Sequence, residues 1–250
     1  MFEFLKKKYY LRDLLYDFID IHCHILPGID DGAATPEQSL ELLEKYASMG
    51  INDFIATPHI MIDYYPNNEK TIAAAYKKLD ALNLRSKIPG LIINLSAEYM
   101  IDSHFEELLA NRKIVPLKYR YVLVELSYLQ PPLNLTSVIK KMRNAGYYVV
   151  LAHPERYNFY HDKKEYYHSL KQMGCFFQLN ALSLSEYYGK SAHKMAKWLL
   201  ENGLIDFLGT DTHKISQLSL LSELKVDKKT FDLILPIIKN TNECFKGFRL

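Results

Sequence analysis

The stretch FIDIHCHILPGIDDGAATPEQSLELLEKYASMGINDFIATPH, which runs from residue 18 to residue 59, contains one complete strand–helix–strand unit. Its two apolar runs, Phe18–His22 and Asp53–Thr57, are rich in residues that favour strands. Between them, Thr35–Gln38 has the sequence of a capping box with proline at the first helical position, and Gly50 is suited to end the helix. The stretch therefore predicts a helix that connects two parallel strands.

The same alternation continues through the rest of the chain. Counting the first two, seven strands are predicted at Phe18–His22, Asp53–Thr57, Leu91–Ala97, Tyr121–Leu126, Tyr147–Ala152, Cys175–Asn180 and Ile205–Gly209. After the first helix, further helices are predicted over residues 68–84, 103–110, 135–145, 163–173, 186–202 and 228–239. Because no long linker interrupts this pattern, the chain is predicted to be one α/β domain over residues 18–250, preceded by an amphipathic extension over residues 1–17.

The composition excludes several classes of protein. The chain has 250 residues, with 31 lysines and arginines against 29 aspartates and glutamates, and this balance excludes nucleic acid or an anionic membrane as the main partner. We expect no membrane span, which needs roughly 20 apolar residues, and no secretory signal. Three widely spaced cysteines indicate a reducing compartment, for which we expect the cytoplasm. In cysteine-dependent tyrosine phosphatases an arginine follows the catalytic cysteine by six positions. None of the three cysteines here has an arginine at that position, so the sequence disfavours that class of enzyme.

Polar side chains stand at the ends of the predicted strands, and their positions repeat with the strand–helix period. Starting from His22, successive strand-end residues are separated by 37, 39, 27, 28, 27 and 31 positions. Because parallel strands in a ring end on one face, residues that are distant in sequence would converge there. His22 and His24 would also point to the same side of their strand. The candidate metal ligands are His22, His24, Asp31, His59, Glu98, Glu125, His153, Asp211 and His213.

Some of these residues have simpler explanations when each is taken alone. An isolated His-x-His pair is more often part of a core or a surface, and Asp30–Gly32 has the composition of a turn. Glu125 is more informative, because a carboxylate within the apolar run YVLVEL requires a cation or a hydrogen-bonding partner. The other four histidines lie in predicted helical segments and are expected to be solvated: His104, His161, His168 and His193.

Five imidazoles and four carboxylates are too many for one ion and indicate a cluster of two or three metals. Such ligands suit zinc, manganese or iron, and the absence of a cysteine ligand disfavours a structural zinc site. With three divalent ions the centre would carry net positive charge, which favours an anionic substrate such as a phosphate ester. Arg156 follows His153 by three residues and could bind the phosphate with its planar fork; a surface salt bridge to Glu155 or Asp162 is the alternative.

Six motifs together resemble the PHP (polymerase and histidinol phosphatase) superfamily. They are most similar to its branch of bacterial tyrosine-protein phosphatases for capsular polysaccharide, the CpsB/YwqE type. The motifs are DIHCHILPGIDDG (Asp20–Gly32), ATPH (Ala56–His59), AE (Ala97–Glu98), VELS (Val124–Ser127), AHPERY (Ala152–Tyr157) and TDTH (Thr210–His213). The first and fifth motifs are specific to that branch, whereas His-x-His alone is shared with many amidohydrolases.

The resemblance implies a distorted seven-stranded (β/α) barrel of the TIM type, the PHP fold. It also implies three divalent metal ions, with manganese as the first expectation and iron or zinc as alternatives. In this scheme the first ion is bound by His22, His24 and Asp211, the second by Glu98, Glu125 and His153, and the third by Asp31, His59 and His213. Glu98 would bridge the first two ions.

The implied activity is that of a metal-dependent protein-tyrosine phosphatase. Attack by a metal-activated hydroxide would remove phosphate from a cognate bacterial tyrosine kinase and so regulate capsule or exopolysaccharide synthesis. Arg156, Asp211 and His213 would be the catalytic residues, with Arg156 on the phosphate. The chain departs from this branch after His213, where the branch carries a further arginine and this sequence has Lys214. Lys214 could bind substrate phosphate as a point charge, although it lacks the fork of arginine.

Three alternatives remain open on the sequence alone. The N-terminal residues Lys6–Lys8, beside Phe2, Phe4 and Leu5, could contact a membrane-bound kinase or acidic lipid, or form an ordinary solvated helix. A histidinol-phosphate phosphatase, or another small-molecule PHP phosphoesterase, would share the metal ligands and differ at the rim. A non-catalytic module that docks on a kinase could keep a metal-stabilised barrel, although the presence of all nine candidate ligands favours an enzyme.

Overall fold

The computed structural model describes residues 7–247, which form two parallel sheets, a short antiparallel pair of strands and flanking helices. The strands are β1 (Lys8–Tyr10), β2 (Ile19–Cys23), β3 (Asp53–Ala56), β4 (His59–Ile60), β5 (Ile92–Leu95), β6 (Glu98–Met100), β7 (Tyr121–Glu125), β8 (Tyr148–Ala152), β9 (Phe176–Asn180), β10 (Phe207–Gly209) and β11 (Lys225–Asp227). The helices are α1 (Pro36–Ala47), α2 (Glu69–Asp80), α3 (Leu84–Lys87), α4 (Ser103–Ala110), α5 (Leu135–Asn144), α6 (Lys164–Gln172), α7 (Lys190–Glu201), α8 (Ile215–Glu223) and α9 (Lys228–Phe245).

The helix α1 begins where its sequence predicts. The hydroxyl of Thr35 accepts a hydrogen bond from the amide of Gln38 (3.3 Å), and the Gln38 side chain accepts one from a preceding amide (2.9 Å). The first bond satisfies a donor that the first turn of a helix leaves unpaired, and the second attaches the preceding residue, Ala34, to that turn. Further along, Leu43 and Tyr46 are fully buried in the core. The cap therefore fixes the start of α1, and its apolar face attaches the helix to the sheet.

All seven predicted apolar runs form strands, and these strands lie in two parallel sheets. One sheet has the order β2-β3-β5 and the other has the order β10-β9-β8-β7-β6-β4. The sequence pattern gives no sign of β4 and β6, which follow the predicted runs Asp53–Thr57 and Leu91–Ala97 after a short interruption of each strand. The interruptions lie in register, since β3 pairs with β5 and β4 pairs with β6. The fold is therefore an α/β fold with a parallel sheet that curves into at least half a barrel.

Backbone hydrogen bonds bring the carboxyl ends of the strands together. Where the chain passes from one sheet to the other beside β4 and β6, the amide of Glu98 donates to the carbonyl of Pro58 (3.1 Å). At the junction of β10 with β2, the amide of Asp211 donates to the carbonyl of His22 (2.7 Å). The residues that follow β10 are thus held directly beside the end of β2.

Apolar side chains fill the space between the strands below this edge. A cluster of buried residues that includes Ile55, Leu123 and Phe207 packs there. Leu123 precedes Glu125 by two positions on β7, so the two side chains lie on the same face of the strand. The inward face of the sheet therefore changes from apolar to charged as the strands reach their carboxyl ends.

The first described residues pack against the last part of the domain. β1 pairs antiparallel with β11, with Lys8 opposite Asp227, and both Leu11 and Leu15 are fully buried. Residues 1–6, which include much of the lysine and phenylalanine cluster that could contact a kinase or lipid or form an ordinary solvated helix, lie outside the described residues. Across residues 7–247, no helix combines the length and the apolar character that a membrane crossing requires.

Candidate metal centre

The nine candidate ligands lie together at the carboxyl ends of the parallel strands. His22 is on β2, His24 follows it, His59 and Glu98 begin β4 and β6, and Glu125 ends β7. Within residues 7–247, ligand atoms that lie within 4.8 Å of one another form four overlapping groups. The groups are His24 with Asp31, His59 and His213; His22 with His24 and Asp211; His22 with Glu98 and His153; and His59 with Glu98 and Glu125.

His24 takes part in two of these groups. Its Nε2 atom lies 3.3 Å from Oδ1 of Asp211, and Nε2 of His22 lies 3.4 Å from the same oxygen. On its other side, the rings of His59 and His213 have their centroids 4.5 and 3.8 Å from that of His24. A cation bound by either group would therefore share His24 or sit directly beside it.

Glu98 lies at the centre of the other two groups. One of its oxygens is 3.2 Å from Nε2 of His22 and 3.1 Å from Nδ1 of His59. Its second oxygen is 3.1 Å from Nε2 of His153. Glu125 lies 2.8 Å from the same His59 nitrogen. Glu125 is therefore grouped with His59, whereas the resemblance implies that it shares an ion with His153.

Several of the ligand atoms are buried without a hydrogen-bonding partner. They are Nε2 of His22, Nε2 of His24, Nδ1 of His59, Oε2 of Glu98 and Oε1 of Glu125. A buried polar atom that makes no hydrogen bond is costly, and within the described residues these five atoms have only ion-pair contacts with one another and with Asp211. Imidazole nitrogens and carboxylate oxygens are also the donors that divalent zinc, manganese or iron prefer. The residues present therefore fit a cluster of divalent cations.

The electrostatics of the site lead to the same conclusion. Burial alone would raise the pKa of Glu98, but the neighbouring His22 and His59 hold that pKa well below its ordinary value. Burial would lower the pKa of His24, whereas the adjacent Asp30 carboxylate raises it, and the resulting pKa is about 10. Glu98 therefore keeps its negative charge and requires positive charge beside it, which protonated histidines or divalent cations can supply.

Two side chains outside the predicted ligand set orient the histidines. Oε1 of Gln178 lies 2.7 Å from Nδ1 of His22, and Oδ2 of Asp30 lies 2.8 Å from Nδ1 of His24. Both contacts use the ring nitrogen that faces away from the centre, so they favour the tautomer whose Nε2 can bind a cation. A Cβ atom at Gly32 would lie 2.2 Å from the carbonyl oxygen of His24, so this close approach requires glycine.

Replacing Gln178 by alanine is expected to weaken metal binding by about 10- to 100-fold, because His22 loses the contact that fixes its ring and tautomer. Titration calorimetry of metal into the stripped protein measures this effect. Gln172→Ala, on the exposed surface of α6, is the matched control and should leave the affinity unchanged. Equal affinities for the two variants would show that Gln178 does not orient His22.

Two of the candidate ligands have backbone conformations that residues other than glycine rarely adopt. The φ angle is +35° at His153 and +51° at Asp211. Such conformations cost of order 1–3 kcal/mol and occur mainly where surrounding structure enforces them, often at functional sites. A short 3-10 turn, Pro154–Arg156, follows His153 directly. The sharp turn of the chain at His153 thus carries Arg156 over the strand ends.

Arg156 lies at a cleft of about 230 Å³ beside the ligands. Its guanidinium donates a hydrogen bond to Oδ2 of Asp211 (2.6 Å). The same group lies over the rings of Tyr128 and Tyr188, at 4.9 and 4.1 Å from their centroids. Arg156 therefore forms its salt bridge with a candidate metal ligand, and not with its acidic neighbours in sequence.

Lys214 is exposed and lines the same cleft, next to His213 and Asp31. The side chain of Gln217 accepts hydrogen bonds from the backbone amides of His213 (2.7 Å) and Lys214 (2.9 Å). These bonds cap the start of α8 and hold the two residues at the rim. The structure therefore places both the candidate ligand His213 and the candidate phosphate contact Lys214 where an anion in the cleft could meet them.

Glu155, beside Arg156, is fully buried. Its carboxylate accepts a hydrogen bond from the amide of Asn180 (3.0 Å), and burial raises its pKa to about 7. The carbonyl of Glu155 lies 2.8 Å from Nε2 of His161, whose ring is half-buried. His161 therefore differs from the solvated state that its sequence position predicts, because it packs against this turn.

Glu155 is expected to destabilise the fold as the pH rises. Its folded-state pKa of about 7 lies above an unfolded value of about 4.3, so between these values the unfolded state binds fewer protons. The free energy of unfolding should then fall by up to about 1.4 kcal/mol per pH unit relative to a Glu155→Gln variant. Urea unfolding of the metal-free proteins across this range measures the difference. Glu165→Gln, exposed on α6, is the control, and a pH-independent difference for Glu155→Gln would contradict the assignment.

Comparison with known proteins identifies relatives of this chain. Residues 18–220 match the family model for capsular polysaccharide synthesis, CpsB/CapC. The tyrosine-protein phosphatase YwqE of Bacillus subtilis is 30% identical over 227 residues, which are 90% of this chain and 89% of that protein. The putative tyrosine-protein phosphatase CapC of Staphylococcus aureus is 29% identical over 215 residues, which are 84% of this chain and 83% of that protein.

A solved structure shares the fold. It comes from a study of YwqE from Bacillus subtilis and CpsB from Streptococcus pneumoniae, described there as unique metal-dependent tyrosine phosphatases. It superposes with a TM-score of 0.79 at 28% identity and covers 93% of this chain and 96% of that one. The family match spans every candidate ligand, from β2 to the residues after β10. The chain therefore belongs to the CpsB/CapC family of capsular polysaccharide synthesis.

Proposed function

We propose that this chain is a metal-dependent phosphomonoesterase that hydrolyses phosphotyrosine in proteins. The observation that carries the proposal is the convergence of nine histidine and carboxylate side chains, in four overlapping groups that could bind metal ions, beside the guanidinium of Arg156. A cluster of cations next to an arginine suits the charge and shape of a phosphate monoester. The relatives are named tyrosine-protein phosphatases, which favours phosphotyrosine over histidinol phosphate as the substrate.

We propose three divalent ions at this centre, with manganese first and iron or zinc as alternatives. The residues that would hold them are His22, His24 and Asp211; Asp31, His59 and His213; and Glu98 with Glu125 and His153 on its two sides. Three divalent ions facing four ligand carboxylates leave a net positive centre. Asp30 and Arg156 add one charge of each sign, so this balance is unchanged and still favours a phosphate dianion.

The roles of the protein side chains follow from their positions. Bound divalent cations would lower the pKa of water and offset charge on the phosphate. Arg156 would bind phosphate oxygens with its planar fork, and Lys214 would add a second positive charge at the rim. Asp211 would both bind a cation and hold Arg156 in place, because one of its oxygens faces the histidines and the other accepts a hydrogen bond from Arg156. The phenolate of tyrosine, with a pKa of about 10, can leave without a strong general acid.

We also propose that the two sheets form one distorted seven-stranded barrel within residues 18–250, with residues 1–17 as an extension. If β3 and β4 count as one interrupted strand, and β5 and β6 as another, seven strand positions result. The hydrogen bond between the backbones of Asp211 and His22 supports closure between the last and the first. Parallel barrels carry their active sites at the carboxyl ends of the strands, which is where the ligands lie.

We propose that the physiological substrate is a bacterial tyrosine kinase of capsule or exopolysaccharide synthesis. The family match to capsular polysaccharide synthesis supports this assignment. The cytoplasm is the proposed compartment, because Cys23, Cys175 and Cys244 are free thiols.

Metal removal tests the proposed activity. Chelator-stripped protein is expected to lose hydrolysis of a phosphotyrosyl peptide and to regain it when manganese is added, with phosphate release and metal content measured on the same sample. Full activity of the stripped protein would contradict the proposal. Faster turnover of histidinol phosphate than of the peptide would favour a small-molecule enzyme. Metal-loaded protein that hydrolyses no phosphoester would favour a docking module.

A further inference from the structure

Two tyrosines, Tyr128 and Tyr188, flank Arg156 at the mouth of the cleft. Tyr128 lies in the loop that follows β7, and Tyr188 lies just before α7. The guanidinium carbon of Arg156 is 4.9 Å from the ring centroid of Tyr128 and 4.1 Å from that of Tyr188. An arginine held over aromatic faces keeps a defined plane, so the two rings border the position that a bound phosphate would take.

The same three side chains separate two hollows. The inner hollow, about 230 Å³, is lined on its other side by the candidate metal ligands. The outer hollow, about 190 Å³, is lined by Tyr128, Arg156, Tyr188, Asn158 and Ala192. A phosphate held by Arg156 in the inner hollow would therefore place its ester oxygen, and the group attached to it, within reach of both rings.

Both rings have a position suited to bind that group. Tyr128 is 45% exposed, so part of its surface is open to a ligand. The Tyr188 hydroxyl accepts a hydrogen bond from Nδ2 of Asn180 (3.1 Å), which fixes the position of the Tyr188 ring. Leu129 and Leu133, in the same loop as Tyr128, are also exposed. An aromatic and apolar rim around a charged floor suits a ligand with an anionic head and an apolar body.

We propose that Tyr128 and Tyr188 form a subsite for the aromatic ring of an aryl phosphate, and that they select aryl over alkyl phosphomonoesters. This inference rests on the proposed function, because it assigns the part of the site that receives the leaving group of phosphotyrosine. Contacts between aromatic rings contribute beyond the area that they bury, so each tyrosine should favour an aryl ligand by about threefold to tenfold.

Calorimetric binding of two phosphonates to the metal-loaded protein tests the subsite without any turnover. Phenylphosphonate and methylphosphonate share the anionic head and differ in the group attached to it. Tyr128→Leu and Tyr188→Leu should each lower the affinity for phenylphosphonate by about threefold to tenfold relative to the affinity for methylphosphonate. The corresponding phenylalanine variants keep the ring and should retain the wild-type ratio. Tyr64→Leu, 75% exposed in the loop after β4, is the matched control and should leave the ratio unchanged.

If the leucine variants lost affinity for both phosphonates equally, the proposal would be overturned, because the rings would then act only by holding Arg156. An unchanged affinity for phenylphosphonate would overturn it as well. The wild-type protein could hydrolyse the phosphotyrosyl peptide while the leucine variants keep the wild-type ratio of phosphonate affinities. That result would support the proposed function and contradict the subsite. If binding of phenylphosphonate depended on the two rings but no phosphoester were hydrolysed, the result would support the subsite and contradict the proposed function.

Discussion

Replacing Glu98 by glutamine is expected to lower kcat/KM for a phosphotyrosyl peptide by about 10³-fold, because bound metals supply several kcal/mol of transition-state stabilisation. Glu98 is shared by two ligand groups, and its oxygens lie 3.2 Å from His22, 3.1 Å from His59 and 3.1 Å from His153. Glutamine has nearly the same shape without the charge. The variant therefore removes one of the four ligand carboxylates and creates no cavity.

Steady-state kinetics and metal analysis of the same preparation check this prediction, and activity and metal content should fall together. Glu107→Gln, whose side chain is 73% exposed on α4, makes the same chemical change outside the site and is the matched control. A Glu98→Gln protein with its full metal content and full activity would show that Glu98 is not a shared ligand. Another negatively charged group would then have to balance the charge of the buried histidines around Glu98.

Local sequence accounts for the elements of this fold better than for their pairing. The capping residue Thr35 predicts the start of α1, and apolar runs rich in β-branched and aromatic residues predict seven strands. The interruptions that create β4 and β6 lie in register across neighbouring strands, so they depend on pairing and not on composition. The pairing of β1 with β11 joins opposite ends of the domain, and no local pattern indicates it.

The clustering of the candidate metal ligands could be predicted, because these residues interrupt an apolar, periodic pattern. Glu125 in YVLVEL is the clearest case, since its charge is incompatible with a buried strand unless a partner is present. The same signal is present at Gln178, a buried amide in the run FFQLN, but the sequence does not reveal that its partner is His22. Asp30 carries no distinct signal, because its neighbours give it the composition of a turn.

The aromatic residues at the rim depend on tertiary packing alone. Tyr188 falls in a segment that the sequence predicts to be helical from residue 186, whereas α7 begins at Lys190. Gly189, with φ of +91°, ends the preceding segment in a conformation that glycine adopts readily. This later start leaves Tyr188 outside the helix, where its ring reaches Arg156. A pattern of helical spacing cannot reveal such a contact.

Replacing Arg156 by lysine is expected to lower kcat/KM for the phosphotyrosyl peptide by about 10²-fold, because the loss of one preorganised donor to developing charge has an effect of this size. The guanidinium lies over Tyr128 and Tyr188 and donates to Asp211 at 2.6 Å. Lysine retains a positive charge near Asp211 but has neither the flat face nor the fork that binds two phosphate oxygens. The metal content should therefore remain intact while the activity falls.

This separation of metal content from activity distinguishes Arg156 from Glu98, for which both should fall. It also tests the docking alternative, since a module that only binds a kinase would have no turnover for Arg156→Lys to lose. Arg12→Lys, in an exposed salt bridge, is the matched control for the change of side chain. If Arg156→Lys lost its metals as well, the role of Arg156 would be to hold Asp211 in place. The main phosphate contact would then have to come from another positively charged side chain at the cleft, and Lys214 has the required position.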